Sequence, residues 1–259
     1  MRDHTPPRPD ARLRVLYLLR HGQSTANAAG EFTGWTDVPL TSAGEAEATR
    51  AGQLLAEARE LPDVVHTSVL RRTIRTAEIA LAGIDRSWVP VRRSWRLNER
   101  HYGALTGRNK AEVRREAGDD QFTRWRRSFS DAPPAMAPSE AAELRADPRY
   151  RDLPPGTVPD TESLADVLAR VLPYWADNVA TDLRAGRTPL VVAHGNSLRA
   201  LVMHLDKLRP NEVAALNIPT GMPLRYEFDE RLLPLPPGGR YLDPHAADTA
   251  AATVAAEGR

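Results

Sequence analysis

The stretch LRVLYLLRHGQSTAN, residues 13–27, decides the fold. Its first seven residues form a continuous apolar run rich in strand formers. The run halts at Arg20, His21 and Gly22, the pattern of a strand buried on both faces that feeds a loop. PLVVAHGN, residues 189–196, repeats the design, and DVVHTS, residues 63–68, is a weaker copy. Helical patterns lie between these runs. Residues 41–58 open on Thr41 as a cap with glutamates in the first turn, and residues 68–82 are good helix formers. Residues 163–183 place Leu164, Leu168 and Leu172 on one face, with Pro173 expected to bend or interrupt that helix. Strands alternating with helices predict an α/β fold, a three-layer sandwich whose mostly parallel central sheet is flanked by helices.

Residues 98–159 break the alternation. They are rich in proline, arginine and aromatics, with APPAMAP and DLPPGTVPD as irregular connectors, and read as a lid-like insertion. The phenylalanines and tryptophan of QFTRWRRSF argue that it is ordered. The sequence outside the core pattern reads as a flexible N-terminal tail over 1–12 and an Ala/Thr/Glu-rich C-terminal tail over 230–259, frayed or loosely docked as a helix from about residue 246.

Composition narrows the function. The 259 residues are 41% hydrophobic and contain no cysteine, which excludes a disulfide framework, a thiolate metal site and a cysteine nucleophile. A formal net charge of +1 gives no overall field for nucleic acid or an anionic membrane, so any anion must be gathered by local clusters. Lys110 and Lys207 are the only lysines, and arginine pairs are therefore common by chance. The apolar run after the charged, proline-rich N-terminus is too short for a signal-peptide core or a membrane span, and the expected location is the cytoplasm.

Ligands of open parallel sheets bind beyond the carboxyl ends of the strands, where both His-Gly dipeptides fall. Two imidazoles, His21 and His194, then face one another. Gly22 and Gly195 allow sharp turns and close approach of amide groups to an anion. Arg20 beside His21 favours the neutral ring, whose lone pair a nucleophile needs. Arg72, in the first turns after the strand end at Ser68, is expected on the same rim. His66, His101 and His204 read as structural, and His4 and His245 as tail residues. No carboxylate has metal-ligand spacing beside the histidines, and no Walker or dinucleotide loop is present, which points to phosphoryl chemistry without a metal and without a nucleotide.

These residues carry a resemblance. In order along residues 13–229, LLRHGQSTAN, FTGWTDVPLT, HTSVLRRTIRTAE, SWRLNERHYGALTGRNKAE, QFTRWRRSF, PDTESLADVLARVLPYW, VVAHGNSLRALV and ALNIPTGMPLRYEFD resemble the histidine phosphatase superfamily, and within it the cofactor-dependent phosphoglycerate mutases. The resemblance implies one mutase-like domain over 13–229 that includes the insertion. It implies that His21 becomes phosphohistidine, that Arg20, Arg72 and His194 hold the transferring phosphoryl group, and that Glu99 donates and accepts the proton of the substrate hydroxyl. Gln23, Ser24, Asn27, Thr33, Gly34, Arg100, Tyr102, Lys110, Arg126, Arg127, Gly195 and Asn196 match substrate-contacting positions. Gln23 stands where glutamate is common in the family. The implied reaction interconverts 3-phosphoglycerate and 2-phosphoglycerate through a phosphohistidine enzyme and a 2,3-bisphosphoglycerate intermediate, primed by 2,3-bisphosphoglycerate, with no metal.

A phosphoglycerate carries a carboxylate and a phosphate, and Arg20/Arg72 on the rim with Lys110/Arg126/Arg127 on the insertion offer two anion clamps. A phosphomonoesterase of the same superfamily is the alternative, and the second clamp weighs against it. An arginine-rich module for nucleic acid or phosphoprotein is disfavoured by the near-neutral charge and the intact His21, Glu99 and His194 set. The expected partner is a small molecule, with neither nucleic acid nor membrane. Relatives form a homodimer or homotetramer, but no stripe in this sequence identifies an interface.

Overall fold

The structure is a computed structural model that describes residues 13–256. The stretch 1–12, read as a tail, lies outside the described residues. Strands β1 (Arg14–Arg20), β2 (Val64–Thr67), β3 (Val91–Arg93), β4 (Pro189–Ala193), β5 (Leu224–Phe228) and β6 (Arg240–Tyr241) form one sheet in the order β3-β2-β4-β1-β5-β6. The first four in that order run parallel, and β5 and β6 add an antiparallel edge. The three apolar runs of the sequence are thus the inner strands β1, β4 and β2.

The helices are α1 (Thr25–Ala28), α2 (Ser42–Ala56), α3 (Arg71–Ala82), α4 (Lys110–Ala117), α5 (Asp119–Arg127), α6 (Pro138–Ala146), α7 (Leu164–Tyr174), α8 (Ala180–Arg184), α9 (Gly195–Asp206), α10 (Pro210–Ala215) and α11 (Pro244–Ala256). Alternate residues of β1 serve the two faces of the sheet. Val15, Tyr17 and Leu19 pack with Ala51 and Leu55 of α2 and Ala77 and Leu81 of α3. Leu16 and Leu18 pack with Val167 and Val171 of α7 and Leu198 and Leu201 of α9. Both faces are covered, which is why the strand sequences are continuously apolar rather than alternating.

Three local expectations change in the structure. The helix of residues 68–82 starts at Arg71, because Ser68 to Leu70 form the turn at the strand end. The buried stripe of α7 is Leu164, Val167, Val171 and Tyr174, with Leu168 at its edge, since the sheet is met by a row between the leucines. The chain also stays helical through Pro173, and a wide π turn at Trp175–Val179 follows before α8. Pro173 has no N–H to give the preceding turn, and the widened turn follows directly on that missing bond.

Residues 230–256, set outside the domain in the sequence reading, carry regular structure. β6 pairs Tyr241 with Leu224, and the Asp243 carboxylate accepts the Ala246 N–H at 3.1 Å to open α11 with Pro244 in the first helical position. The insertion is ordered around Phe32, Leu105, Val113 and Phe122 and, further on, around Trp35, Tyr150 and Val158. Phe32 and Trp35 come from the connection between α1 and α2, so the insertion is pinned to the segment that follows His21.

His66, fully buried on β2, joins the sheet to α8. Its Nδ1 lies 2.9 Å from the Tyr174 hydroxyl and its Nε2 2.9 Å from the Asp182 carboxylate, which also accepts from Arg92 and Arg187. A neutral ring donating to Asp182 and accepting from Tyr174 is fully satisfied, and burial holds its pKa down to about 4. The structural reading of His66 therefore has a specific partner set.

The turn after β1 rests backbone-to-backbone on the start of α2. A Cβ at Gly44 would collide with the Gln23 carbonyl oxygen, and one at Gly22 with the Gly44 carbonyl. Gly44→Ala is expected to destabilise the fold by about 1–3 kcal/mol, the usual cost of overpacking. Equilibrium urea unfolding measures it, and a midpoint equal to that of the unsubstituted chain would refute the close packing.

Candidate active site

Parallel pairing of β1 with β4 sets Arg20 opposite Ala193, so the next residues of the two strands, His21 and His194, are neighbours. The His21 N–H donates to the Ala193 carbonyl at 3.0 Å, and the ring centroids are 4.9 Å apart at 65°. Both rings are buried. His21 Nδ1 lies 2.7 Å from the Gly22 carbonyl oxygen, which can only accept. The proton is therefore on Nδ1, and Nε2 keeps its lone pair. His194 Nε2 lies 2.8 Å from the Ser68 hydroxyl at the end of β2.

Two guanidiniums flank the rings. Arg20 Nη1 donates to the Ile218 carbonyl at 2.8 Å. Arg72, 1% exposed on α3, donates to the carbonyls of Thr36 at 2.8 Å and Gly34 at 2.9 Å. Gly34 has φ +54°, a conformation that suits glycine and turns its carbonyl to Arg72. Burial lowers the Arg72 pKa to about 10, so it remains a cation at neutral pH.

Glu99 enters from the insertion. Its Oε1 accepts the Arg100 N–H at 2.7 Å and the Asn196 N–H at 3.1 Å. Its backbone is held by a pair that sequence reasoning missed. Arg170 of α7, ion-paired to the buried Glu162 at 2.6 Å, donates to the carbonyls of Arg96, Asn98 and Glu99, and Glu162 accepts the His101 N–H. Trp35 Nε1 also donates to the Glu99 carbonyl, at 2.6 Å.

Arg20, His21, Asn27, Thr33, Arg72, Glu99, Tyr102, Lys110, Arg126, Arg127, Gly195 and Asn196 line one cleft of about 650 Å³, part of it open to solvent. Five other expected residues are not part of this lining: His194, which packs against the His21 ring and Ser68, and four more that spend their contacts elsewhere. Gln23 accepts from the Thr41 hydroxyl at 2.9 Å while its N–H meets Glu47, and the buried Ser24 hydroxyl caps α1 and donates to Asn27. Gly34 offers its carbonyl to Arg72, and Arg100 is fully buried with its guanidinium 4.7 Å from the centroid of the Tyr102 ring. The sequence reading passed over Glu31, Phe32, Arg199, Leu216, Asn217, Ile218 and Val254, which also line the cleft. Arg199 follows Asn196 by one helical turn, a spacing that could have marked it. Val254 arrives with α11, where its carbonyl accepts from Arg126 at 3.2 Å.

The lining carries six cationic side chains, those of Arg20, Arg72, Lys110, Arg126, Arg127 and Arg199, against the carboxylates Glu31 and Glu99. Such a site suits a multiply charged anion, with a neutral nucleophilic nitrogen at its floor. Among the described residues no group of three or more His, Asp or Glu side chains could hold a metal ion.

Burial, and after it the charge of Arg72, hold His21 and His194 well below the ordinary imidazole value. Burial lowers His66 and His101 too. The folded state thus binds fewer protons than the unfolded chain as pH falls through about 6.5, so stability present above that pH is lost below it. The unfolding free energy from urea titration is expected to fall between pH 6.5 and 5, by at most about 1.4 kcal/mol per pH unit for each histidine. Ring NMR should find His21 and His194 uncharged at the lower pH. Charged rings there would overturn the assignment of a neutral pair.

The model of the Histidine phosphatase superfamily (branch 1) matches residues 16–154 and 138–232. A protein of Thermobifida fusca named 2,3-bisphosphoglycerate-dependent phosphoglycerate mutase is 57% identical over 247 residues, 95% of this chain and 100% of the relative. One of the same name from Rhodococcus opacus is 58% identical over 94% of this chain and 96% of its own length. Among solved structures, a mycobacterial glucosyl-3-phosphoglycerate phosphatase complexed with VO3 superimposes with a TM-score of 0.63 at 27% identity, covering 82% of this chain and 92% of that one.

Proposed function

The chain belongs to the histidine phosphatase superfamily and, within it, to the 2,3-bisphosphoglycerate-dependent phosphoglycerate mutases, and on that premise we propose how its cleft interconverts 3-phosphoglycerate and 2-phosphoglycerate. The enzyme is an isomerase that works by phosphoryl transfer and serves glycolysis and gluconeogenesis. The observation that carries the residue assignment is the pair of buried histidine rings 4.9 Å apart, flanked by Arg20 and Arg72.

In this reading His21 Nε2 attacks phosphorus, a nitrogen–phosphorus bond forms, and the phosphorus–oxygen bond to the substrate breaks. Gly22, accepting from Nδ1, fixes the ring and stabilises the charge it gains. Arg20, Arg72 and His194 surround the transferring group and take up charge as it spreads over the phosphoryl oxygens. On the phosphorylated enzyme Glu99 takes the proton of the free hydroxyl of 3-phosphoglycerate as that oxygen attacks the phosphohistidine, which gives 2,3-bisphosphoglycerate held in the cleft. His21 then attacks the other phosphate and Glu99 returns the proton to the leaving alkoxide, so 2-phosphoglycerate is released and atoms and protons balance over the cycle. Lys110, Arg126 and Arg127 hold the far end of the ligand.

The six cations of the cleft fit 2,3-bisphosphoglycerate, and when bound it supplies the first phosphoryl group to His21. The arginines provide the positive charge at the reacting group, and no step is assigned to a metal. Val254 and residues of the insertion line the cleft beside the reacting group, and water admitted there would hydrolyse the phosphohistidine. We place the enzyme in the cytoplasm, acting on a small molecule. Among the described residues no helix is long and apolar enough to cross a membrane.

Incubation with radiolabelled 2,3-bisphosphoglycerate is expected to leave an acid-labile label that His21→Ala abolishes, with activity unchanged by a chelator. A label that survives in the variant removes His21 as nucleophile, and loss of activity with chelator removes the metal-free assignment. Glu99→Gln is expected to lower kcat about 10²- to 10⁴-fold with KM within a few-fold. Equal losses in binding would make Glu99 a structural residue. A coupled mutase assay beside phosphate release from 3-phosphoglycerate should show transfer exceeding hydrolysis, and the reverse ratio would make the chain a phosphatase.

A further inference from the structure

We propose that Arg199 is a positioning residue that sets the amide of Asn196 and thereby turns the Tyr102 hydroxyl into a hydrogen-bond donor toward the anion in the cleft. Arg199 sits on α9, 5% exposed, and lines the cleft with Asn196 and Tyr102. A guanidinium has donors only. Its Nη1 lies 2.8 Å from one terminal atom of the Asn196 amide, and that atom must be the oxygen. The amide nitrogen is then the atom 2.9 Å from Tyr102 Oη. An N–H at that distance donates, the phenolic oxygen accepts, and the phenolic hydrogen is left for another acceptor.

The reverse amide orientation would invert this. Tyr102 would donate to Asn196 and present lone pairs to a ligand that is itself negative, an unpaired contact in a buried site. Arg199 is anchored from behind, where Nη2 donates to the Val213 carbonyl of α10 at 2.7 Å. Among the described residues its hydrogen bonds are these two, and neither goes to a carboxylate. The Tyr102 ring is also fixed, with the Arg100 guanidinium 4.7 Å and the Phe32 ring 4.9 Å from its centroid. Both ends of the relay are therefore held, and the amide between them takes its orientation from Arg199. Burial, with Arg127 and Arg100 nearby, lowers the Arg199 pKa to about 9, still charged at neutral pH.

The inference rests on the mutase reading for its assay, and a double-mutant cycle on the full chain tests it. Arg199→Met and Tyr102→Phe are each expected to raise KM for 3-phosphoglycerate roughly tenfold, the usual loss for one hydrogen bond to a charged group, with kcat within about threefold. The double variant should be no worse than the weaker-binding single variant. Arg199→Lys, which keeps a donor for Asn196, should restore KM even where it lowers the unfolding midpoint. Multiplying effects in the double variant, an unchanged KM in Arg199→Met, or no rescue by lysine would overturn the proposal. If Arg199→Met does not fold, Asn196→Asp carries the same cycle, because its second carboxylate oxygen makes Tyr102 a donor to it with Arg199 in place. The coupling is also read without turnover, as the Kd of 3-phosphoglycerate measured by calorimetry in the His21→Ala background. An inactive unsubstituted chain with intact coupling overturns only the mutase activity, and an active one with independent effects overturns only the role of Arg199.

Discussion

The register of β1 on β4 is the constraint on which the site depends. With Arg20 opposite Ala193, the residue after each strand is a histidine, and the two rings meet at the carboxyl edge of the sheet. A slip of one residue would send the side chains of β1 to the opposite face, exchanging the layer of Leu16 and Leu18 for that of Val15, Tyr17 and Leu19. Two separate cores, one against α2 and α3 and one against α7 and α9, therefore hold the imidazoles in place. The same burial that secures the register strips water from the rings and keeps them neutral.

Around them the fold collects buried cations and satisfies them chiefly with backbone. Arg20 donates to Ile218, Arg72 to Thr36 and Gly34, Arg100 to Trp125, and Arg199 to Val213. Carbonyl oxygens orient a guanidinium without cancelling its charge. Among the described residues the Nε atoms of all four arginines are buried without a partner. Incompletely compensated charge in a protein interior is costly, and an anion that binds there returns part of that cost as affinity. By contrast, Arg170 is neutralised by Glu162, as suits a residue that holds the backbone of Glu99.

Much of the architecture was legible because it follows from short-range pattern. Continuous apolar runs marked the inner strands, Thr41 marked the start of α2, and the His-Gly pairs marked the strand ends. Less legible were features whose cause lies in another part of the chain. The buried stripe of α7 is set by where the sheet meets it, and the start of α3 by the turn that brings Ser68 to His194. α11 carried a readable signal in Asp243 and Pro244, yet its place beside Arg126 did not follow from composition.

The sequence alone determined the strand ends, the two histidines that follow them, the family, and the kind of charge the site would gather, because each is written in contiguous residues whose chemistry does not depend on distant neighbours. Only the tertiary structure decided which polar residues face the ligand. Gln23 and Ser24 lie beside His21 in the chain but spend their hydrogen bonds on Thr41, Glu47 and Asn27, while Arg199 and Val254, far along the chain, reach the cleft. The physical reason is that a polar side chain takes the nearest partner in space, and the crossover connections of a parallel sheet make that partner remote in sequence.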